Sequence, residues 1–160
     1  LAEQRAVLHA ANFSLGVHVL GHAVAQAARL LGDTYQIEVV EAHHQHKRDL
    51  PSGTALYLAQ AAAVARGDNF QDVYADRSLQ SSRETNREIG VAGMRGGQVI
   101  GDHSVHFLGA LERLEFTHSA TDRDVFAQGA VEVAHWLSNQ PSGSYSMQDF
   151  VAAQFNTPLS

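Results

Sequence analysis

The order of the hydrophobic patterns along the chain limits the folds that it can adopt. Two strand–helix pairs come first: a strand over residues 6–13 precedes a helix that ends at Gly32, and a strand over residues 35–41 precedes a helix over residues 55–66. Strand-like runs then follow one another within residues 89–120. Because strands in direct succession do not fit a fully alternating strand–helix fold, the pattern predicts the α+β class.

The remaining segments are predicted as connections and terminal helices. Residues 68–88 are polar and aperiodic, which is typical of a long surface loop, and residues 138–146 have the composition of a linker. A long helix is expected to end at Leu137, and a short last helix is expected over residues 147–155. We expect a mixed sheet of about four strands with helices on one face.

Charge and cysteine content exclude several classes of protein. The net charge of −6 argues against a nucleic-acid or anionic-membrane partner, since such binding needs an excess of Lys and Arg. The chain has no cysteine, which excludes disulfides, thiolate catalysis and cysteine zinc sites and fits a reducing, cytoplasmic location. The longest nearly apolar stretch, residues 55–65, is too short to cross a bilayer.

Side chains that can carry chemistry are concentrated in residues 41–55. His43, His44 and His46 stand immediately before Lys47 in a chain that is acidic as a whole. Histidines can donate and accept protons near neutral pH, and a lysine adds a full positive charge. This composition indicates a site for proton transfer beside an anion.

The segment that follows the histidines has the features of an anion-binding helix start. A helix N-terminus presents unpaired N–H groups and the positive end of the helix dipole. Gly53 allows an anion to approach the backbone closely, and the hydroxyls of Ser52 and Thr54 can add hydrogen bonds. The pattern therefore predicts a local site for a carboxylate or a phosphate.

Two other interpretations of the histidine cluster remain open at this level. A cluster of this composition also occurs in ordinary solvated loops. On an extended segment His44 and His46 face the same side, but this spacing alone is a weak metal signal. His18 and His22 have helical spacing, yet Val19 stands where a zinc protease needs a glutamate. We predict no metal.

The sequence of residues 41–55, EAHHQHKRDLPSGTA, resembles the signature of the dihydrodipicolinate reductase family of the diaminopimelate route to lysine. Further similar segments follow in the family's order and extend the resemblance over nearly the whole chain; they are residues 10–17, 89–103, 112–119, 126–130 and 145–149. The resemblance implies an NAD(P)H-dependent reduction of a cyclic dicarboxylate, 4-hydroxy-tetrahydrodipicolinate.

The resemblance also implies roles for individual residues. His43 matches the general acid that protonates the substrate as hydride arrives, and Lys47 matches a second cationic catalytic residue. The positions that match substrate-binding residues are His44, Ser52, Gly53 and Thr54. Arg95 and His103 resemble family positions near the site, although turn geometry or a hydrogen bond to a carbonyl would explain them equally well.

The cofactor implied by the resemblance is NADPH or NADH. Ala10, Ala11 and Phe13 match positions beside the nicotinamide. The Gly-rich fingerprint of a dinucleotide-binding domain does not occur in the sequence, so we expect the cofactor to be bound mainly by an N-terminal half that is missing here.

The resemblance divides the chain into three parts. Residues 1–14 would be the last strand of the nucleotide-binding domain, residues 15–137 the substrate-binding and oligomerisation domain, and residues 138–160 a return segment toward the nucleotide-binding domain. The family pattern also implies a homotetramer. An alternative is a non-catalytic, oligomeric module that binds a dicarboxylate, and the sequence leaves the choice between NADH and NADPH open.

Overall fold

The computed structural model describes residues 2–155 and has the predicted α+β architecture. The described helices are α1 (Leu15–Leu31), α2 (Gly53–Ala65), α3 (Phe70–Val73), α4 (Asp124–Leu137) and α5 (Met147–Phe155). The described strands are β1 (Ala6–Leu8), β2 (Gln36–His43), β3 (Tyr74–Asp76), β4 (Ile89–Arg95), β5 (Gly101–Leu108), β6 (Arg113–Ala120) and β7 (Gly143–Tyr145).

The chain forms two compact units, whose boundary falls within α1. The sheet unit comprises residues 20–121, and the terminal unit comprises the described parts of residues 1–19 and 122–160. None of the helices within residues 2–155 has the length and apolarity needed to cross a membrane.

The sheet unit is built on a mixed five-stranded sheet with the order β3-β4-β2-β5-β6. Strands β3, β4 and β2 run parallel, whereas β5 and β6 are antiparallel to their neighbours. Every second residue of the central strand β2 is buried, beginning with Ile37 and Val39. This alternation is the two-residue period of a strand that has one face against a core.

Helices α1 and α2 cover the buried face of this sheet. Leu20 and Val24 of α1 and Leu58 of α2 belong to the same core cluster as Ile37 and Phe107. Helix α2 begins at an N-cap, because the side chain of Ser52 accepts a hydrogen bond from the Ala55 N–H. The other buried residues of α2 are Ala55, Ala59, Ala62 and Ala63, and their small size lets the helix lie close to the sheet.

The prediction of a continuous loop over residues 68–88 was wrong for its first part. The side chain of Asn69 caps the four-residue helix α3, and β3 then pairs with β4 as a fifth strand of the sheet. Elements of three or four residues are too short to show a hydrophobic period. The rest of the segment is held by Arg77 and Arg83, which both donate to the carboxylate of Glu38.

The terminal unit has a small core of its own. Its buried residues are Val133, Met147, Phe150 and Val151, and Trp136 packs against them. The predicted helix over residues 147–155 is confirmed. The predicted strand over residues 6–13 is shorter than expected, because only Ala6–Leu8 forms a strand, which pairs in parallel with β7. Strand β7 itself lies inside the segment 138–146 that was predicted as a linker. This pairing joins segments far apart in the chain, which no local pattern reveals.

Truncation of a core side chain tests the packing of α2. We expect Leu58→Ala to lower the free energy of unfolding by about 2–5 kcal/mol, since Leu58 is fully buried and its removal leaves a cavity. In the same helix Val64 is exposed, so Val64→Ala should change that free energy by about 0.5 kcal/mol or less. Urea denaturation of both variants measures the difference, and equal losses would contradict the packing described here.

Candidate active site at the end of strand β2

The site forms where the buried row of β2 changes from apolar to ionisable side chains. The two-residue period that buries Ile37 and Val39 also places Glu41 and His43 on the inner face of the sheet. The strand register then sets their neighbours. In the register of the sheet Glu41 lies opposite His103 of β5, and His43 lies opposite Arg95 at the end of β4.

The carboxylate of Glu41 is buried and fully hydrogen-bonded. Oε2 accepts from Nδ1 of His43 at 2.6 Å and from Nη1 of Arg95 at 2.8 Å. Oε1 accepts from Nη2 of Arg95 at 2.8 Å and from the backbone N–H of Ser52 at 3.0 Å. Burial alone would raise the pKa of Glu41, but the hydrogen bonds from Arg95, His43 and Ser52 outweigh it and lower the pKa below its ordinary value. Glu41 is therefore an anion at neutral pH.

The contact with Glu41 determines which nitrogen of His43 is available for chemistry. An ionised carboxylate can only accept, so Nδ1 of His43 carries a proton and Nε2 is the atom that gains or loses one. Nε2 lies beside Gly101, where an added Cβ would stand 3.0 Å from it. Glycine at this position leaves the space around that nitrogen clear.

His103 packs against His43 as a neutral ring. The two ring centroids are 5.0 Å apart with an interplanar angle of 73°. Burial, reinforced by the nearby His43, lowers the pKa of His103 to about 4. Nε2 of His103 lies 3.2 Å from Oγ of Ser52, the hydroxyl that also caps α2. The neutral ring of His103 thus contacts Ser52 at the start of α2 without adding a positive charge to the site.

The start of α2 has the properties expected of an anion-binding loop. Ser52 is buried, whereas Gly53 is exposed and an added Cβ there would meet no atom within 4 Å. Thr54 is half-buried in the first turn of the helix. An anion can therefore approach the backbone at Gly53 closely. Through Glu41 the structure ties this loop to His43, so the proton donor and the anion site predicted from sequence share one carboxylate.

The other predicted residues of the segment lie between β2 and α2. Nζ of Lys47 forms an ion pair with Oδ2 of Asp49 at 2.8 Å, and this hydrogen bond lowers the pKa of Asp49. His44 is half-buried, and its ring centroid is 6.3 Å from that of His46. Within residues 2–155 no group of three or more His, Cys, Asp or Glu side chains is arranged to hold a metal ion.

The residues predicted to lie beside the nicotinamide belong to the terminal unit. Ala10 and Phe13 are half-buried and pack against the core of that unit, and Ala11 is exposed. The side chain of Asn12 accepts a hydrogen bond from the N–H of Ser14, which turns the chain into α1. Their contribution to cofactor binding stays a prediction.

No sequence pattern identifies a role for Glu41, and the roles of Arg95 and His103 are left open by the sequence. The signal for Glu41 is present in the sequence, since a carboxylate at the next inner position after Ile37 and Val39 must be buried and therefore needs partners. Its partner Arg95 comes from another strand, so only the strand register identifies it.

The buried neutral state of His103 predicts how stability depends on pH. Below its ordinary pKa of 6.5 the unfolded chain binds a proton at this residue, whereas the folded protein binds it only near pH 4. The contribution of His103 to stability is therefore complete above pH 6.5 and is lost as the pH falls to about 4. The free energy of unfolding should therefore decline between pH 6.5 and pH 4, and we expect this decline to be smaller by up to about 3 kcal/mol in His103→Gln.

Urea denaturation between pH 4 and pH 7 measures this effect. Exposed His46 provides the matched control, and His46→Gln should keep the pH dependence of the unchanged protein. An identical pH dependence in His103→Gln and the unchanged protein would show that His103 is not held neutral by burial.

Comparisons with known proteins show the family and the fold of this chain. The family model for the C-terminus of dihydrodipicolinate reductase matches residues 16–151. The 4-hydroxy-tetrahydrodipicolinate reductase of Syntrophobacter fumaroxidans is 50% identical over 138 residues, which cover 85% of this chain and 51% of the relative. The enzyme of that name from Halorhodospira halophila is 48% identical over 153 residues, which cover 94% of this chain and 57% of the relative.

A solved structure shows the same fold. It is a dipicolinate-bound dihydrodipicolinate reductase from Paenisporosarcina sp. TG-14, with a TM-score of 0.68 and 21% sequence identity over 89% of this chain and 53% of the other. The chain spans about half the length of the curated relatives that it matches. By the extent of the family match and the identity to these relatives, the chain belongs to the dihydrodipicolinate reductase family and corresponds to its C-terminal part.

Proposed function

We propose that this chain forms the substrate-binding and oligomerisation part of an enzyme that reduces 4-hydroxy-tetrahydrodipicolinate to tetrahydrodipicolinate with NAD(P)H, in lysine and diaminopimelate biosynthesis. The observation that carries the proposal is the hydrogen bond from His43 to Glu41, because the same carboxylate accepts from Ser52 at the anion-binding start of α2. This shared contact supports a proton donor at His43 next to a carboxylate site at the start of α2. The names of the relatives support the choice of reaction.

His43 is the proton donor of the proposed reaction. When bound, NADPH or NADH would supply a hydride. The conversion of 4-hydroxy-tetrahydrodipicolinate to tetrahydrodipicolinate also releases the 4-hydroxyl group as water, so one hydride and one proton balance the reaction. His43 gives this proton from Nε2, since Nδ1 is engaged with Glu41. The ring takes a new proton from solvent after the transfer.

The substrate's carboxylates are held at the start of α2 and by the segment before it. Gly53 and Thr54 supply helix N-terminal N–H groups, and Ser52 and Thr54 supply hydroxyls, all of which favour negative charge. The N–H of Ser52 itself is bound to Glu41. His44 adds a further contact to a carboxylate. Lys47 leaves Asp49 and turns its charge to the substrate, where it stabilises the charge that develops as the proton is transferred.

The residues of this chain can form only a small part of the cofactor site. Ala11 is exposed, and with Ala10 and Phe13 it offers small and flat surfaces against which a nicotinamide ring can lie. A pyrophosphate needs a Gly-rich turn before a helix, and the sequence has no such fingerprint. We therefore assign most of the cofactor contacts to a nucleotide-binding half outside this chain.

The terminal unit supports the proposed division of the chain. The parallel pairing of β1 with β7 joins one strand from each of the two terminal parts in one small sheet, as expected if both belong with a nucleotide-binding domain. We assign residues 15–137 to the substrate-binding and oligomerisation domain, although residues 15–19 and 122–137 belong to the terminal unit. Residues 156–160 of the return segment lie outside the described part of the chain.

An exposed sheet edge supports self-association, which we propose gives a homotetramer. In the described sheet β6 is an edge strand, and Leu111 and Leu114, just before and within it, are exposed. An exposed edge strand next to exposed leucines can pair with another copy of the chain. We further propose a cytoplasmic location, which the cysteine-free sequence supports.

Replacement of His43 tests the proposed acid. In the intact protein we expect His43→Gln to lower kcat about 100-fold or more with little change in KM, because glutamine cannot donate the proton. His46 is exposed and serves as the matched histidine, so His46→Gln should keep kcat within about twofold. Steady-state assays that follow NAD(P)H oxidation measure both. A His43→Gln enzyme with the kcat of the unchanged protein would exclude His43 as the acid.

Replacement of Thr54 tests the anion site. We expect Thr54→Val to weaken the binding of pyridine-2,6-dicarboxylate about 10-fold, since it removes one hydrogen bond to a charged group and keeps the size of the side chain. Exposed Thr85 provides the control, and Thr85→Val should bind as tightly as the unchanged protein. Calorimetric titration measures the affinities.

The same titration separates the two functions considered for this chain. An intact protein that binds the dicarboxylate and yet oxidises neither NADPH nor NADH would support the non-catalytic module. Equal affinities for the Thr54→Val and Thr85→Val proteins would place the carboxylate elsewhere.

A further inference from the structure

Glu41 is the most deeply placed ionisable group of the site and has no step of its own in the proposed reaction. It is 1% exposed, and its two oxygens accept four hydrogen bonds, from Arg95 twice, His43 and Ser52. A buried carboxylate costs several kcal/mol in lost hydration unless it is fully paired. Arg95 alone would neutralise the charge of this carboxylate, so the hydrogen bonds from His43 and Ser52 call for a further explanation.

We propose that Glu41 is a positioning residue that keeps the proton of the neutral His43 ring on Nδ1 and orients the ring, so that Nε2 is the nitrogen that takes up a further proton and gives it to the substrate. This inference rests on the proposed function of His43. The 2.6 Å hydrogen bond places the carboxylate of Glu41 as a fixed acceptor at Nδ1 of His43. Arg95 of the adjacent strand donates to both oxygens of this carboxylate. The carboxylate cannot rotate away from the ring without breaking the bidentate contact.

The surroundings of the ring agree with this role. An imidazole with no fixed acceptor at Nδ1 can carry its proton on either nitrogen and can flip about its χ2 angle. Here one edge of the ring is bound to Glu41, and the other edge, with Nε2, lies beside the cleared position at Gly101. The ring of His103 packs against that of His43 at an interplanar angle of 73°, and burial keeps His103 neutral at physiological pH, so that it adds no competing positive charge beside Glu41.

A purely structural role for Glu41 makes a different prediction. If the carboxylate only joined β2 to β4 through Arg95, its loss would reduce stability and would act on catalysis independently of His43. If it acts through His43, its loss has no further effect once His43 is gone. The two cases are separated by a double-mutant cycle on kcat.

The experiment uses the intact protein and the variants Glu41→Gln, His43→Gln and the double replacement. Glutamine keeps the size of glutamate but turns an N–H₂ group toward at least one of its donors, so the acceptor at Nδ1 is lost or weakened. We expect Glu41→Gln to lower kcat about 10-fold or more and to change kcat less than about twofold in the His43→Gln background. Losses that multiply in the double variant would overturn the inference.

Glu38 provides the matched control. It lies on the same strand as Glu41, and its carboxylate likewise accepts hydrogen bonds from arginine, in this case from Arg77 and Arg83. Strand alternation places Glu38 on the opposite face of the sheet from Glu41. Glu38→Gln should leave kcat unchanged. A loss in Glu38→Gln equal to that in Glu41→Gln would mean that any break in an arginine–carboxylate pair of β2 lowers activity, and would overturn the inference.

A second measurement does not depend on whether Glu41→Gln folds. ¹⁵N spectra of histidine-labelled, unchanged protein report which ring nitrogen carries the proton in the neutral form of His43. We expect a protonated Nδ1 and a bare Nε2, and the opposite tautomer would overturn the inference. Failure of the proposed function gives a different result from failure of this inference. An unchanged kcat in His43→Gln would show that His43 is not the acid. A low kcat in His43→Gln together with a full kcat in Glu41→Gln would leave His43 as the acid and would contradict only the role of Glu41.

Discussion

The carboxylate of Glu41 connects three separate segments of the sheet unit. It belongs to β2, is gripped by Arg95 at the end of β4, and accepts from Ser52 where α2 begins. A charge at such depth is stable only when every lone pair has a donor, so the ends of two strands and the start of a helix must meet at one point. The position of the proposed proton donor relative to the proposed anion site follows from that requirement.

Packing and electrostatics are continuous along β2. The inner face begins as ordinary core at Ile37 and Val39 and ends with Glu41 and His43, with no intervening loop. The apolar side chains and α2 exclude water from this end of the sheet, and interactions between charges are stronger where water is excluded. The same exclusion lowers the pKa of His103. The core therefore does more than stabilise the fold, because its burial of His103 favours the neutral form of that ring beside the proposed anion site.

Prediction from sequence succeeded where the signal is local. The amphipathic period and the cap at Ser52 identify α1, α2, α4 and α5, and the ionisable residues within 41–55 are contiguous, so their proximity needs no knowledge of the fold. It failed where two distant segments must be paired. The contact of Arg95 with Glu41 follows from the parallel register of β2 and β4, and the pairing of β1 with β7 spans nearly the whole described chain. Elements as short as α3 and β3 carry too little pattern to be detected.

The two units differ in how their residues are ordered along the chain. The sheet unit is one uninterrupted stretch, whereas the terminal unit needs residues from both sides of it, since β1 pairs with β7 in the described part of the chain. A ribosome releases all of the sheet unit before it releases β7, and domains generally fold as units during synthesis. We therefore expect the sheet unit to complete its core on the nascent chain before β1 can pair with β7.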